Sequence, residues 1–420
     1  MIIRARIVVT MDGRPVENGA VAISENRVVD VGKFPEISAR YFTRKIVDLG
    51  EQALLPGLIN AHCHLDYTCL RGKIHPQKCF ADWVRAINSA KAKLSPEDYV
   101  ASIRAGFAEA ARFGTTAIAN LCAFPELVAL IDESIRTWWF GELIDVRNPD
   151  CANEIVDLAV DSLKSKRNWG LAPHALFTAS PNLFRRCEEV GQREHILLTT
   201  HLAESREEFS MFHKGCGPLY ELMKDFGRDM NDCGHQTPLA LFHGARNSWT
   251  RPLASARVRP HWILVHLNEL SESDFEWLAT PTQVTSRGAA TEFVIVHCPR
   301  SHTYFGHSPF SFEKLRERGS NICLGTDSLA SNKDLSLFAE MREFQRNFPA
   351  VSPEEIFSMV TKNAAAALAG QSFLGQIKSG AFADLIAVPY ETECNIFEQI
   401  IAFSQAVSWS MIDGVLQKPA

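Results

Sequence analysis

Histidines and carboxylates sit at five places in this 420-residue chain directly behind short apolar runs. They are His62-Cys63-His64, His201 with Glu204 in HLAE, His266, His297-Cys298-Pro299, and Asp327 in GTDS. Two histidines at i and i+2 on an extended strand end share a side, because side chains alternate with period two. Such a pair can chelate one ion. Imidazoles joined by a carboxylate form an N/O donor set suited to zinc, iron or a similar divalent cation. An ion with an open coordination position brings the pKa of a water from about 15.7 toward ~7, which is hydrolytic chemistry. A lone HxH is commonplace, and a histidine at a strand end is usually a hydrogen-bonded core residue. Repeated in order behind successive β-type runs, the pattern reads instead as a metal centre.

Something must carry these segments to one place. The β-type runs are LLPGLIN (54–60), TTAIANL (115–121), WFGELI (139–144), GLAP (170–173), ILLTT (196–200), WILV (262–265), FVIV (293–296) and NICLG (321–325). Longer helical stretches separate them, so the order matches a closed (β/α)8 barrel. Residues just past each strand then fall on its C-terminal rim, where barrels of this kind build active sites. Ser95-Pro96-Glu97-Asp98 and Ser352-Pro353-Glu354-Glu355 read as helix starts, each with a cap, a first-turn proline and acids. The second helix is expected to run through NAAAALAG and stop at Gly370. Both chain ends are β-rich. IIRARIVVT, AVAIS and RVVDVG are separated by the turn signals Asn18-Gly19 and Glu25-Asn26, and GQIKSGAFADLIAVPY and AVSWSMIDGVLQ lie near the C-terminus. The ends are expected to meet in one small β-sandwich, formed by residues 1–53 and 371–420 around a barrel of 54–370.

Composition narrows the partners. At 46% hydrophobic and 22% charged residues the chain has ample material for a core. A net charge of −6 lacks the basic footprint of a nucleic-acid binder. No stretch approaches the ~20 apolar residues of a membrane helix. Eleven scattered cysteines without a CxxC pair point to a reducing cytoplasm rather than a disulfide framework.

The motifs LLPGLINAHCHL, APHALFT, THLAES, HCPRSH and GTDSLASN, with TKNAAAALA and GAFADLIAV behind them, resemble the amidohydrolase superfamily in its metal-dependent deaminase and chlorohydrolase branch. HCHLDYT with FADWVRAI, and HCPRSHTYFGH, are similar to motifs of aminodeoxyfutalosine deaminases, and the branch also holds S-adenosylhomocysteine and nucleoside deaminases. The resemblance implies the barrel and the terminal sandwich. It makes His62, His64, His201 and Asp327 the ligands of one divalent ion, zinc first, iron or manganese as alternatives. Relatives with two metals carry a modified lysine after strand four, whereas WGLAPHALFTAS holds none, so one ion is expected. Glu204 is implied as general acid and base, His266 as a stabiliser of the developing charge, and Asp327 as both ligand and proton holder. His174, Arg71 and His302 are the implied substrate contacts, although His302 stands where many relatives have asparagine.

The implied activity is hydrolytic deamination of an aminated heterocycle, of the aminopurine nucleoside type, by an enzyme expected to be a homodimer or higher homo-oligomer. Two alternatives are a chlorohydrolase or triazine-type aminohydrolase on the same metal site, and a noncatalytic scaffold that keeps only the fold.

Overall fold

The computed structural model describes residues 1–249, 261–278, 283–285, 288–290, 293–368, 373–392 and 394–417. Its central feature is a ring of parallel strands: β1 (Leu58–His64), β2 (Thr115–Cys122), β3 (Arg136–Leu143), β4 (Trp169–Pro173), β5 (Leu197–Leu202), β6 (Trp262–His266), β7 (Phe293–His297) and β8, in two pieces at Asn321–Leu324 and Asp327–Ser328. Each pairs with the next in chain order. The first piece of β8 pairs with β7 and the second with β1, through Asp327 opposite Cys63 and Ser328 opposite His64. The sheet therefore closes on itself as a TIM-type barrel. Gly325 is where β8 changes partner: a Cβ there would lie 2.7 Å from the His62 carbonyl. Only glycine lets the ring close beside that histidine.

The strands are apolar on both faces because side chains fill the barrel inside and helices cover it outside. β1, β2, β6 and β7 are buried along their whole length. The helix Pro96–Arg112 starts where the sequence signals it, with Ser95 and Asp98 forming a reciprocal capping box. Ser352 likewise caps Pro353–Met359. That helix is shorter than expected. At Thr361 the backbone leaves helical geometry (φ −129°, ψ −101°), and a separate helix, Lys362–Ala367, follows. The expected stop at Gly370 lies outside the described residues.

Strands from both chain ends share one eight-stranded sheet, in which Gln52–Pro56 pairs antiparallel with Leu385–Pro389. Two local expectations need correction here. The run LLPGLIN is not one barrel strand; it breaks at Gly57, its first part belonging to the terminal sheet and its second to β1. Asn18-Gly19 is not a turn but lies inside the strand Val16–Ser24, where Gly19 allows close approach to Val8 and the Val16 carbonyl. Arg136 at the start of β3 fastens this sheet to the barrel by bonding Asp384 (3.1 Å) and Asp413 (2.7 Å).

Candidate active site

β1 delivers His62 and His64 to the rim, held by Asn60, whose side chain bonds the backbone N–H groups of His62 and Thr326 and the Thr326 hydroxyl. Cys63 between them faces the other way, toward Asn120. β5 delivers His201, β6 His266, and the second piece of β8 Asp327. The His64 and His201 Nε2 atoms stand 3.3 Å apart, and Asp327 Oδ1 lies 3.8 Å from His62 Nε2 and 3.9 Å from His64 Nε2. His201 donates from Nδ1 to the His174 carbonyl at 2.9 Å, so its Nε2 is the nitrogen turned to the cluster. Asp327 sits at φ +57°, a strained backbone for a non-glycine residue, with Ser301 donating to Oδ2 at 2.6 Å and the Ser328 N–H to Oδ1 at 2.7 Å.

These groups fit a divalent cation. His62, His64 and His201 present nitrogens within 4.8 Å of one another. Both ring nitrogens of the fully buried His62, and Nδ1 of His64, lack hydrogen-bond partners. Buried polar groups are otherwise almost always satisfied, so convergent unpartnered imidazoles call for an ion. Burial pushes the His64 and His201 pKa values down, His201 to about 4, leaving them neutral as ligation requires. For Asp327, burial acts upward, but His62 beside it outweighs burial and holds the carboxyl well below its usual range.

Glu204 follows β5 and lies with Oε1 3.6 Å from His266 Nε2. Burial first, then Asp327, Glu208 and Glu207, push its carboxyl well above the usual range. Burial holds His266 neutral. A carboxyl held below its usual range and one pushed above it thus flank the same cluster, which is the division of labour acid–base catalysis needs.

Above the cluster opens a cavity of about 470 Å³. Tyr67, Phe80, Trp83, Phe177 and Phe226 form much of its wall, and His64, His174, His201, Glu204, His266 and Asp327 line its base. His174 is fixed through Nδ1 to Thr178 Oγ1 at 2.6 Å, which leaves Nε2 for the cavity. Arg71 and His302 lie elsewhere. Arg71 is exposed, pairs with Glu109 and lines a separate groove with Arg300 and Asp334, because the short helix Leu65–Leu70 turns the chain outward before it. The His302 Nε2 donates to the Ser308 carbonyl at 2.8 Å, closing its own loop, and neither residue lines the cavity. His297 stacks on Phe310 at 4.0 Å and is core.

Glu142 escapes the sequence reading. It is the penultimate residue of β3 with its side chain inside, Oε1 unpartnered, 3.7 Å from His64 Nδ1 and 4.0 Å from His174 Nε2. Burial, reinforced by Asp66 and Asp327, pushes its carboxyl up to about 7 against the pull of Lys91. A lone acid inside the apolar run WFGELI was the available signal.

Residues 53–415 match the sequence model of the amidohydrolase family. A 5-methylthioadenosine/S-adenosylhomocysteine deaminase from Syntrophobacter fumaroxidans is 28% identical over 399 residues, 90% of this chain and 82% of its own length. Among solved structures, Helicobacter pylori aminofutalosine deaminase in complex with methylthio-coformycin superposes with a TM-score of 0.85 at 20% identity, over 99% of this chain and 100% of that one. An adenosine deaminase from Xanthomonas campestris with bound zinc gives 0.79 at 23% identity, over 99% and 92%. At those identities the two structures speak for the fold.

Proposed function

Since the chain belongs to the amidohydrolase family, we propose that it is a metal-dependent hydrolytic deaminase of an aminated heterocycle, of the aminopurine nucleoside kind named for its relatives. One observation carries this reading: a metal-type donor set meets two buried groups, the Glu204 carboxyl and the His266 imidazole 3.6 Å from it, at the base of one aromatic cavity. His62, His64, His201 and Asp327 would hold one divalent ion, which we take to be zinc, and when bound it supplies the Lewis acidity that brings a water's pKa from about 15.7 toward ~7.

The chain's own groups handle the protons. Asp327, ionised, takes up the proton that the attacking water sheds. Glu204 gives its proton to the ring nitrogen beside the carbon under attack; the proton held by Asp327 then goes to the departing amino group, which leaves as ammonia, and the hydroxyl on the same carbon returns its proton to Glu204 as the carbonyl forms. His266 hydrogen-bonds the incoming oxygen. His174 meets the ring through Nε2. The aromatic walls stack on the heterocycle and keep bulk water from the reacting carbon. Outside the cavity, we take residues 1–53 and 371–420 to form a β-sandwich beside the barrel, and the protein to work in the cytoplasm as a homodimer or higher homo-oligomer.

The test is ammonia release from aminated purines, nucleosides, pterins and triazines. Ammonia from the purine or nucleoside members supports the reading. Chloride or amine release from substituted triazines alone, or no product from any member, would overturn it.

A further inference from the structure

The charges of the cavity are segregated by depth. Its buried base holds the carboxyl groups of Glu142, Glu204 and Asp327, a fourth carboxyl in its lining, Asp145, is taken up by the Ser180 N–H and hydroxyl, and two cations, the half-buried Lys91 and the exposed Arg147, line its outer part. Other cations shielded from solvent are met by carboxylates or backbone carbonyls: Arg136 by Asp384 and Asp413, Arg228 by Asp232, Arg300 by Asp334, and Arg27, Arg44 and Arg342 by the carbonyls of Gly380, Ile23 and Phe403. Among the described residues Lys91 and Arg147 meet none within ion-pair distance. Each lies over an aromatic ring instead, Lys91 Nζ 4.6 Å from the centre of Tyr67 and the Arg147 guanidinium 5.2 Å from that of Phe226. Tyr67 in turn stacks on His64 at 5.7 Å. The ammonium is thus one aromatic plate removed from a histidine of the cluster, a distance that one heterocycle and a short linker would span.

A neutral ligand filling this cavity would strip water from Lys91 and return no partner, and an unpaired buried ammonium is costly. A ligand with an anion at that end removes the cost and gains a charge-assisted hydrogen bond. We propose that the substrate carries an anionic group, carboxylate or phosphate, on the side of the ring away from the reacting carbon, and that Lys91 reads it with Arg147 as a weaker second contact at the rim. This inference rests on the deaminase reading for the word substrate, but its test does not depend on turnover.

Calorimetric titration of the metal-loaded protein at low salt with adenosine, adenosine 5′-carboxylate and adenosine 5′-monophosphate measures the preference directly, and ammonia is assayed in the same samples. At least one anionic probe should bind about tenfold tighter than adenosine, the scale of one charge-assisted hydrogen bond. The ratio should fall below about threefold in Lys91→Gln and persist in Lys91→Arg. Whichever anion binds better identifies the tail chemistry. Equal binding of all three probes, binding of none, or an unchanged ratio in Lys91→Gln overturns the proposal. Preferential binding without ammonia from any probe would instead count against deamination and leave the anion site standing.

Discussion

Replacing Glu204 by glutamine separates proton relay from metal binding. Glutamine matches the volume of glutamate, and the backbone at this position is held from both sides: its N–H donates to Glu208 Oε2 at 2.7 Å and its carbonyl accepts from Asn268 Nδ2 at 3.0 Å. The amide therefore occupies the carboxyl's place without disturbing β5 or His201. What it removes is a proton that can be given and taken back. Losing a positioned general acid–base group costs about 10²–10⁴ in rate, which is roughly 3–5 kcal/mol of barrier at about 1.4 kcal/mol per factor of ten. Because the Glu204 carboxyl faces His266 and does not belong to the His62, His64 and His201 group, metal content should stay near one ion per chain. The assay pairs steady-state ammonia release with elemental analysis of one preparation. Loss of the metal would show that Glu204 is a ligand. A kcat within about tenfold of the unaltered protein would refute the relay.

Asp327→Ala should cost both metal and activity, since the carboxylate stands 3.8 and 3.9 Å from two of the cluster's histidines, and retained activity would remove strand eight from the site. Ser301→Ala frees Asp327 Oδ2 from its 2.6 Å bond and should weaken metal affinity by about 10–100-fold, read by competition with a chelator. Unchanged affinity would mean that this hydroxyl does not orient the carboxylate. Away from the metal, burial pushes the Glu340 carboxyl up to about 8 despite Arg300 and Asn332. A folded pKa above the unfolded one means that the stability it contributes is complete below the unfolded pKa and is lost as pH rises through about 8. Urea unfolding across this range should show a slope of up to about 1.4 kcal/mol per pH unit that Glu340→Gln flattens. Identical slopes in both proteins would contradict the shift.

How much of this was legible depends on whether a feature is local. Barrel strands are short apolar runs buried on both faces, so even WFGELI and GLAP, with little else to mark them, are strands in the fold. The histidines were legible because they follow those runs and the barrel gathers everything that follows a strand onto one rim. Tertiary contacts were not legible. Arg71 and His302 share motifs with site residues, yet Glu109 and the Ser308 carbonyl hold them outside the cavity. Asn18-Gly19 has turn chemistry, but the strand continues through it because its partner Val8 needs the space beside Gly19. The alanine-rich helix breaks at Thr361, whose hydroxyl bonds the Phe357 carbonyl. Glu142 was hidden for the opposite reason: one acid within an apolar run gives no spacing to read.

The central claim is that one ion, held by His62, His64, His201 and Asp327, makes this barrel a deaminase. Titrating zinc into chelator-stripped protein while following ammonia release from the aminated purine and nucleoside panel tests it most directly. The account predicts activity that rises from near zero and breaks at one equivalent per chain. Activity independent of metal, a break at two equivalents, or no ammonia at any loading with zinc, iron or manganese would contradict it.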